Sequence, residues 1–484
     1  MVIAARRSSL PELSALLGLF AFLVLLAFAR PLDHDESQYV AAAQLARHGI
    51  IYRDFAYLQT PLQPLLFGFL SGAWAFPGIR LLNALLGAAS VALVYAASRS
   101  VGAGRRTAFL AAGLFACCDI LLFSATVARN DMLPACLLSG ALWLMVRQAQ
   151  GSGGRTTAMV IGALLSAATA AKLSYAMPAL AYGGLTLIDR RHRPVWLMIG
   201  ALPPAAFVAF SWLAAPDAFA FDVLRFPTAA PEQFYAAGRA WKLALWARAL
   251  DLLKFLALGP ALLAVAMAIK ERRRDRLTIM LDVMIVAGLV AAILPAPTWR
   301  QYLLVMLPPL FVRASLLAAM VRPPRWLRAS TAIFVAAGLA PSLLALVAAA
   351  RSGLPLLGAI DDGRALRVAM DRQHVAGPVA TLSPQFVPAT GRPIDPRFAA
   401  GPFFFRSTGL LSAADERRFA LVSRETAAGQ LAAQPPGAIV TGGEGPWTSG
   451  DAALDTALGD IARAQGWQAT RVSDTPFTLY SRPR

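Results

Sequence analysis

Charge is scarce in this chain. Only 15% of its 484 residues are Asp, Glu, Lys or Arg, where soluble proteins carry about 25%. Cysteine is scarcer still. Cys117, Cys118 and Cys136 all fall in or beside apolar runs, which excludes a disulfide framework, and no CxxC or Cys/His spacing of a zinc module occurs. Lysine appears only as Lys172, Lys242, Lys254 and Lys270, because arginine is used almost everywhere else. A lysine inside an apolar run therefore stands out. No glycine-rich phosphate loop is present, which disfavours a soluble nucleotide-linked substrate. Internal repeats and low-complexity tracts are also missing.

What the chain has in abundance is apolar sequence. Hydrophobic residues make up 57% and mean hydropathy is +0.56. Apolar runs near the ~20 residues needed to cross a bilayer recur along it. Eleven spans are expected, centred on 11–29, 79–98, 107–124, 132–147, 157–171, 173–188, 195–214, 249–269, 277–295, 302–320 and 329–350. The pair around Lys172 is short enough to be a re-entrant element instead. The stretch 62–76 is broken by Pro61, Pro64 and Gly68 and reads as a juxtamembrane piece. Ala27-Phe28-Ala29 has the small-x-small form of a signal cleavage site; with so many later spans, a retained anchor is the simpler expectation.

The net charge of +18 invites a nucleic-acid reading, and its distribution rejects one. Basic residues cluster at Arg6-Arg7, Arg99–Arg106, Arg147–Arg155, Arg190–Arg193, Lys270–Arg276 and Arg322–Arg328. With the N-terminus in the cytoplasm all six fall on the cytoplasmic side, the positive-inside pattern, where they meet anionic lipid headgroups. Asp33–Pro77, Ala215–Leu245 and everything after Arg351 then face outward. Residues 1–350 form a transmembrane domain with a first outward loop over 31–78. Beyond it, 351–484 lose hydropathy and alternate short strand-like runs (Val379–Leu382, Ala438–Thr441, Phe477–Tyr480) with helical patterns at Gly363–Gln373 and Ala452–Gln465. The expected fold is an α-helical polytopic membrane protein with a small C-terminal extracytoplasmic α/β domain.

The most informative feature is Asp33-His34-Asp35-Glu36, directly after the first apolar run. Three carboxylates within four residues at a hydrocarbon boundary are costly unless they act, and acidic residues contribute little to orientation. The following stretch, with Tyr39, Val40, Ala43, Leu45 and Ala46 apolar, has the pattern of a short interfacial helix. Asp33, His34 and Asp35 also offer ligands to a divalent cation, although hard cations need further oxygen donors. Arg129-Asn130-Asp131 reads equally as a helix cap before Pro134 and as part of a site. Lys172 either snorkels to the interface or aims a cation at a phosphate. Arg300, on the side where basic residues are few, calls for an anionic partner; Trp299 and Tyr302 beside it also suit an aromatic belt. His48, His192 and His374 read as exposed and without a site role.

Asp35-Glu36-x-x-Tyr39 after the first span resembles the first-loop motif of the GT-C glycosyltransferases, in particular the protein O-mannosyltransferase and aminoarabinose-transferase superfamily. The run Tyr52-Arg53-Asp54-Phe55-Ala56-Tyr57-Leu58-Gln59-Thr60-Pro61, leading to Arg80, follows in the same order. So do Arg129-x-Asp131, Lys172 and Arg300-x-Tyr302. Gln59-Thr60-Pro61 stands where many members have Lys before a double proline, and the Asp-His-Asp-Glu form is more similar to the lipid A-core galacturonosyltransferase branch. The resemblance implies a GT-C fold of about 11 helices and a polyprenyl-phosphate-linked sugar donor in the lipid bilayer. It also implies an envelope acceptor (lipid, glycan or protein) and the bacterial cytoplasmic (inner) membrane as location.

On that reading Asp35 is the base, with Asp33 or Glu36 as alternate or orienting carboxylate. Arg300, Lys172, Tyr302 and Arg129 bind the donor phosphate, and Tyr39, Asp131 and Tyr57 serve the acceptor or the structure. One displacement at C1 inverts the anomeric centre. No cofactor is established by that reading, and a divalent cation on Asp33, His34 and Asp35 stays open. The competing classes are a transporter or flippase of lipid-linked sugars, which predicts paired repeats, and a non-catalytic envelope assembly protein. The charge pattern generates one test by itself. A reporter active only in the cytoplasm, fused after Arg484, should stay silent; a bright signal would invert the topology and move the acidic loop inside.

Overall fold

The computed structural model describes residues 10–236, 238–270, 275–318 and 325–483. Arg6-Arg7 and parts of the basic clusters Lys270–Arg276 and Arg322–Arg328 lie outside the described residues. Among the described residues, seven helices are long and apolar enough to cross a membrane: Leu10–Ala29, Gly72–Ser100, Met132–Ala149, Pro194–Ala214, Arg276–Ile293, Arg300–Ala318 and Leu327–Ser352. A bent pair, Leu245–Ala257 with Ala261–Lys270, makes an eighth if counted as one span. Arg155–Ala171 and Leu173–Ile188 are shorter apolar helices. Burial sorts the long ones. Arg300–Ala318 is 83% buried over its most apolar window and sits at the centre, whereas Pro194–Ala214 and Leu327–Ser352 are 17% buried and expose apolar side chains outward. Helices apolar on all sides with so little protein cover need lipid around them.

Two expected spans are broken. Residues 107–124 form separate helices, Arg105–Ala116 and Asp119–Ser124, parted at Cys117-Cys118. The backbone is drawn out there by close neighbours: a Cβ on Gly338 would lie 2.1 Å from the Cys117 carbonyl oxygen, and the Asp119 N–H donates to the Leu258 carbonyl at 3.0 Å. Residues 249–269 turn through 104° between the paired helices. Gly259 at φ +143° takes a conformation closed to other residues, and Pro260 supplies no N–H to continue the ladder.

The acidic loop leads into helix Glu36–Leu45, whose residues Glu36 to Ala43 are all buried. This corrects the expected interfacial helix, for the C-terminal segment covers it. Val40 and Phe76 share one apolar cluster with Leu356, Phe386 and Phe477. That segment holds a four-stranded sheet of order β1-β2-β4-β3, with β1 Val379–Thr381, β2 Ala438–Thr441, β3 Gln468–Arg471 and β4 Thr478–Ser481. β1 and β2 are parallel, with Ala380 opposite Ile439; β4 runs antiparallel to β2 and β3, with Leu479 opposite Val440 and Thr470. Helices Pro355–Arg372 and Ala452–Ala464 flank it. β3 has no sequence signal, because Gln-Ala-Thr-Arg is an exposed edge strand without apolar alternation.

Helices Arg155–Ala171 and Pro194–Ala214 touch backbone to backbone. A Cβ on Gly162 would meet the Leu197 carbonyl at 1.9 Å, and one on Gly200 the Met159 carbonyl at 1.8 Å. Small residues that let helices approach this closely are a main source of association in lipid. Gly200→Ala should therefore lower the unfolding midpoint in detergent by the equivalent of about 1–3 kcal/mol of overpacking. Gly184→Ala, with open space at its Cβ, should not. Equal midpoints would refute the close-contact account.

Candidate active site

A cavity of about 1000 Å³ opens between the helices and the C-terminal segment. Asp33, His34, Asp35, Arg129, Lys172 and Arg300 line it together with apolar and aromatic side chains that include Leu180, Phe226, Leu294 and Trp299. Residues scattered from 33 to 302 in the chain thus meet in one space whose lining is both charged and apolar.

Glu36 fixes the charged part of the lining. Its carboxylate accepts from Arg80 Nε at 2.7 Å and Nη2 at 2.6 Å, from the Ala128 N–H at 2.5 Å and from the Asp33 N–H at 3.0 Å. Arg80 also donates to the carbonyls of Ala27, Arg30 and Pro31 at 2.8–3.1 Å. Both side chains are fully buried, and Glu36 does not line the cavity. It was expected among the catalytic carboxylates; the structure instead spends all of its acceptor capacity on holding the loop. Tyr57 is likewise internal, its N–H on Asp222 at 3.0 Å and its hydroxyl on Gln63 at 3.1 Å. Asp131 also stays behind the wall.

Of the charged groups that sequence singled out, those that face the cavity are paired. Arg129 Nη1 donates to Asp35 and lies 3.4 Å from Asp33, while its Nε is 3.4 Å from Asp131. Asp131 in turn accepts from Lys172, whose ammonium is 5.3 Å from the Tyr302 ring centroid. Arg300 donates to Asp119 at 2.8 Å and lies 3.6 Å over the Phe123 ring. An anionic partner for Arg300 was expected, and it is this buried aspartate. Asp119 had a sequence signal, since a lone acid inside an apolar run is functional by default. Its partner Arg30, 3.8 Å away, had none.

His34 joins the cavity to the C-terminal segment. Its Nε2 lies 3.3 Å from Asp35, its Nδ1 3.4 Å from Glu444, and its N–H donates to the Thr448 carbonyl at 2.7 Å. Gly401 holds the neighbouring turn against helix Glu36–Leu45: at φ +57° it tolerates a place where a Cβ would lie 2.4 Å from Ser37 Oγ. Sequence reading missed Glu444 and Arg406, which sit in glycine- and phenylalanine-rich stretches far from the first loop.

Burial and the neighbouring charge of Asp35 push the Asp33 carboxyl up to about 6, against the pull of Arg129. Asp35 goes the other way. Burial raises it, but Arg129 and His34 outweigh that and hold it below the ordinary carboxylate range. His34 is pushed down by burial and lifted more strongly by Asp35 and Glu444, to about 10, so it is a cation at neutral pH. Asp33, His34 and Asp35 each bring a ligand atom within 4.8 Å of the others. Yet both nitrogens of His34 face carboxylates and Arg129 already bridges Asp33 and Asp35. As arranged, these residues neutralise one another and do not fit a divalent cation without displacing Arg129.

The fold is shared with solved membrane-protein structures. No protein-family model matches the chain, and no curated protein matches it in sequence. Solved structures do. ArnT from Cupriavidus metallidurans bound to undecaprenyl phosphate superposes with a TM-score of 0.58 over 98% of this chain and 99% of that one, at 15% identity. The same protein in the apo state gives 0.58 at 14% identity, over 99% and 100% of the two chains. The archaeal oligosaccharyltransferase AglB from Archaeoglobus fulgidus, in complex with an inhibitory peptide and a dolichol-phosphate, is more distant, at 0.48 and 12% identity over 92% and 72%.

The buried pair generates a test that separates folding from chemistry. Glu36→Gln leaves the Arg80 guanidinium uncompensated, which should cost about 3–5 kcal/mol of stability. The double variant Glu36→Leu with Arg80→Leu should recover most of it. Asp35→Asn, at the cavity surface, should unfold near the wild-type midpoint. An unaffected midpoint in Glu36→Gln would show that the pair does not hold the loop.

Proposed function

We propose that this chain is an integral membrane glycosyltransferase that moves a sugar from a polyprenyl-phosphate donor to an envelope acceptor at the extracytoplasmic face, with inversion. The observation that carries this reading is the cavity itself, in which carboxylates and cations meet beside apolar side chains that are exposed on the helices, among them Leu180, Leu294 and Trp299. A lipid-linked sugar has that same division, with an oily tail and an anionic, polar head. ArnT, which shares the fold, is described bound to undecaprenyl phosphate. A bacterial inner-membrane location with the C-terminal segment outside belongs to the same proposal and rests on the positive-inside pattern.

In the reaction the acceptor O–H attacks C1 of the sugar. The C1–O bond to the phosphate breaks, the proton passes to a carboxylate, and polyprenyl phosphate leaves with the bonding electron pair. We assign the proton to Asp35. Two cations keep it ionised, and because the hydroxyl proton becomes strongly acidic only as the new C–O bond forms, even a weakly basic carboxylate receives it. Asp33 shares Arg129 and adds negative charge beside the developing oxocarbenium. Arg300 and Lys172 take the phosphate. Each is held by one carboxylate and keeps N–H donors to spare, since a guanidinium has five and an ammonium three. Their charge is most useful as the phosphate leaves. A flippase moves the same lipid without bond change; release of free polyprenyl phosphate together with a glycosylated acceptor distinguishes the two.

With purified protein and a polyprenyl-phosphate hexose, Asp35→Asn should lose at least about 100-fold in turnover. Arg300→Lys should lower kcat as well as raise KM, because the guanidinium fork is lost while the charge survives, and Lys172→Met should be worse than Lys172→Arg. The pH profile decides between the carboxylates. A base must be deprotonated, so with Asp33 as base the rate would fall as pH drops through about 6. With Asp35, held well below the usual range, it should stay level there. A profile that breaks near 6 and survives in Asp35→Asn would reassign the base to Asp33.

A further inference from the structure

Helix Ala452–Ala464 carries a buried acid that does not serve the helix. Asp451 caps it, accepting from the Ala453 N–H at 3.0 Å. Leu454, Leu458 and Ala462 seat it in an apolar core with Ile439 and Tyr480. Asp455, one turn in, is buried and reaches instead to the turn that precedes the helix. One of its oxygens accepts from the N–H groups of both Gly442 and Glu444, each at 2.7 Å. Its other oxygen has no hydrogen-bond partner, and among the described residues no cation pairs with it. Burial pushes the carboxyl up to about 6 against the pull of those two N–H groups. Keeping an acid there costs stability, which the two bonds to the turn offset.

That turn is built around Glu444. Trp447 Nε1 donates to the Gly442 carbonyl at 3.1 Å. Thr448 Oγ1 donates to the carbonyls of Gly443 at 2.6 Å and Gly445 at 3.1 Å, and Ser383 Oγ to Glu444 Oε1 at 3.3 Å. Gly450 leaves room for the second carboxylate oxygen, since a Cβ there would lie 2.5 Å from Glu444 Oε2. That oxygen is the one facing His34 Nδ1, and Thr448 presents its carbonyl to the His34 N–H. Arg406 is a second cation attracted to Glu444. Two residues of the turn thus hold the ring and the backbone of His34, whose Nε2 meets Asp35. Asp455 ties this turn to a helix that its own apolar core keeps in place.

We propose that Asp455 is a positioning residue for the reaction: by tying the turn Gly442–Gly450 to helix Ala452–Ala464, it holds Glu444 and Thr448 against His34 and so sets where Asp35 stands in the cavity. This rests on the glycosyl-transfer reading with Asp35 as base, and adds to it a residue that is absent from the cavity lining. A base displaced by about 1 Å loses much of its rate. Donor binding, which Arg300 and Lys172 carry in that reading, does not pass through Asp455. Its role therefore belongs to turnover and not to donor affinity.

Asp455→Ala removes the acceptor, whereas Asp455→Asn keeps an oxygen that can receive both N–H groups. In the full-length protein in detergent, hydrogen–deuterium exchange read by mass spectrometry follows the link directly, because the His34 N–H is itself bonded to the Thr448 carbonyl. Asp455→Ala should speed exchange about tenfold over 442–450 and over the acidic loop 33–36, the size of one lost charge-assisted hydrogen bond. β1 and β4 should keep their wild-type protection, and Asp455→Asn should exchange as wild type. In transfer from undecaprenyl-phosphate glucose to an envelope extract, Asp455→Ala should lose at least about tenfold in kcat. KM and the affinity for undecaprenyl phosphate should not change, and Asp455→Asn should recover most of the rate.

The proposal is overturned if the acidic loop of Asp455→Ala exchanges as in wild type, or if β1 and β4 lose protection along with it. It is equally overturned if Asp455→Asn behaves like Asp455→Ala, or if the loop loosens and kcat does not fall. Should wild-type protein release no undecaprenyl phosphate while the exchange pattern holds, the glycosyl-transfer reading fails and the link from Asp455 to the acidic loop stands.

Discussion

The buried Glu36–Arg80 pair is the constraint on which the rest of the site depends. Within one desolvated contact it ties the end of the first helix, the acidic loop, the long helix Gly72–Ser100 and the segment that carries Arg129. Four hydrogen bonds converge on the carboxylate and three carbonyls on the guanidinium. That number of partners is what makes a buried ion pair tolerable, because each charge finds inside the protein what it gave up in water. Asp33 and Asp35 flank this pair in the chain, so the lock fixes where they emerge into the cavity. Of two adjacent acids, Asp35 meets the cavity and Glu36 holds the loop.

Outside that lock, the cavity is close to charge-balanced along the wall that runs from His34 to Lys172. Asp33 and Asp35 alternate with Arg129, then Asp131, then Lys172. Such an array keeps carboxylates ionised beside an apolar flank, where a lone acid would protonate. It also pre-places cations without exposing an unpaired charge to lipid. Asp119 and Asp131 fix the orientation of Arg300 and Lys172 before any ligand arrives, so little reorganisation of these cations is left.

The C-terminal segment helps to build the cavity. Glu444 and Thr448 hold His34, His34 contacts Asp35, and Arg406 enters the cavity from the same segment. The shared apolar cluster of Val40, Phe76, Leu356 and Phe386 welds it to the first loop. Any motion of that segment relative to the helices therefore acts on the acidic loop directly.

By itself the sequence determined the membrane class, the positions of most apolar helices and the order in which charged residues interrupt them. These follow from hydropathy and from isolated charges, which are local properties. Asp33, Asp35, Arg129, Lys172, Arg300 and Tyr302 were all legible as candidates because each breaks an apolar or a charge pattern, and all six line one cavity. Only the tertiary structure decided their partners. That Arg300 meets Asp119, that Lys172 meets Asp131, and that Glu36 turns away from the cavity depend on where distant backbones cross. The break at Cys117-Cys118 belongs to the same category, since it answers to neighbours more than a hundred residues away. Arg406 and Glu444 carried no local signal at all. A charge in a polar segment looks the same whether it faces water or a cavity, and only packing distinguishes the two.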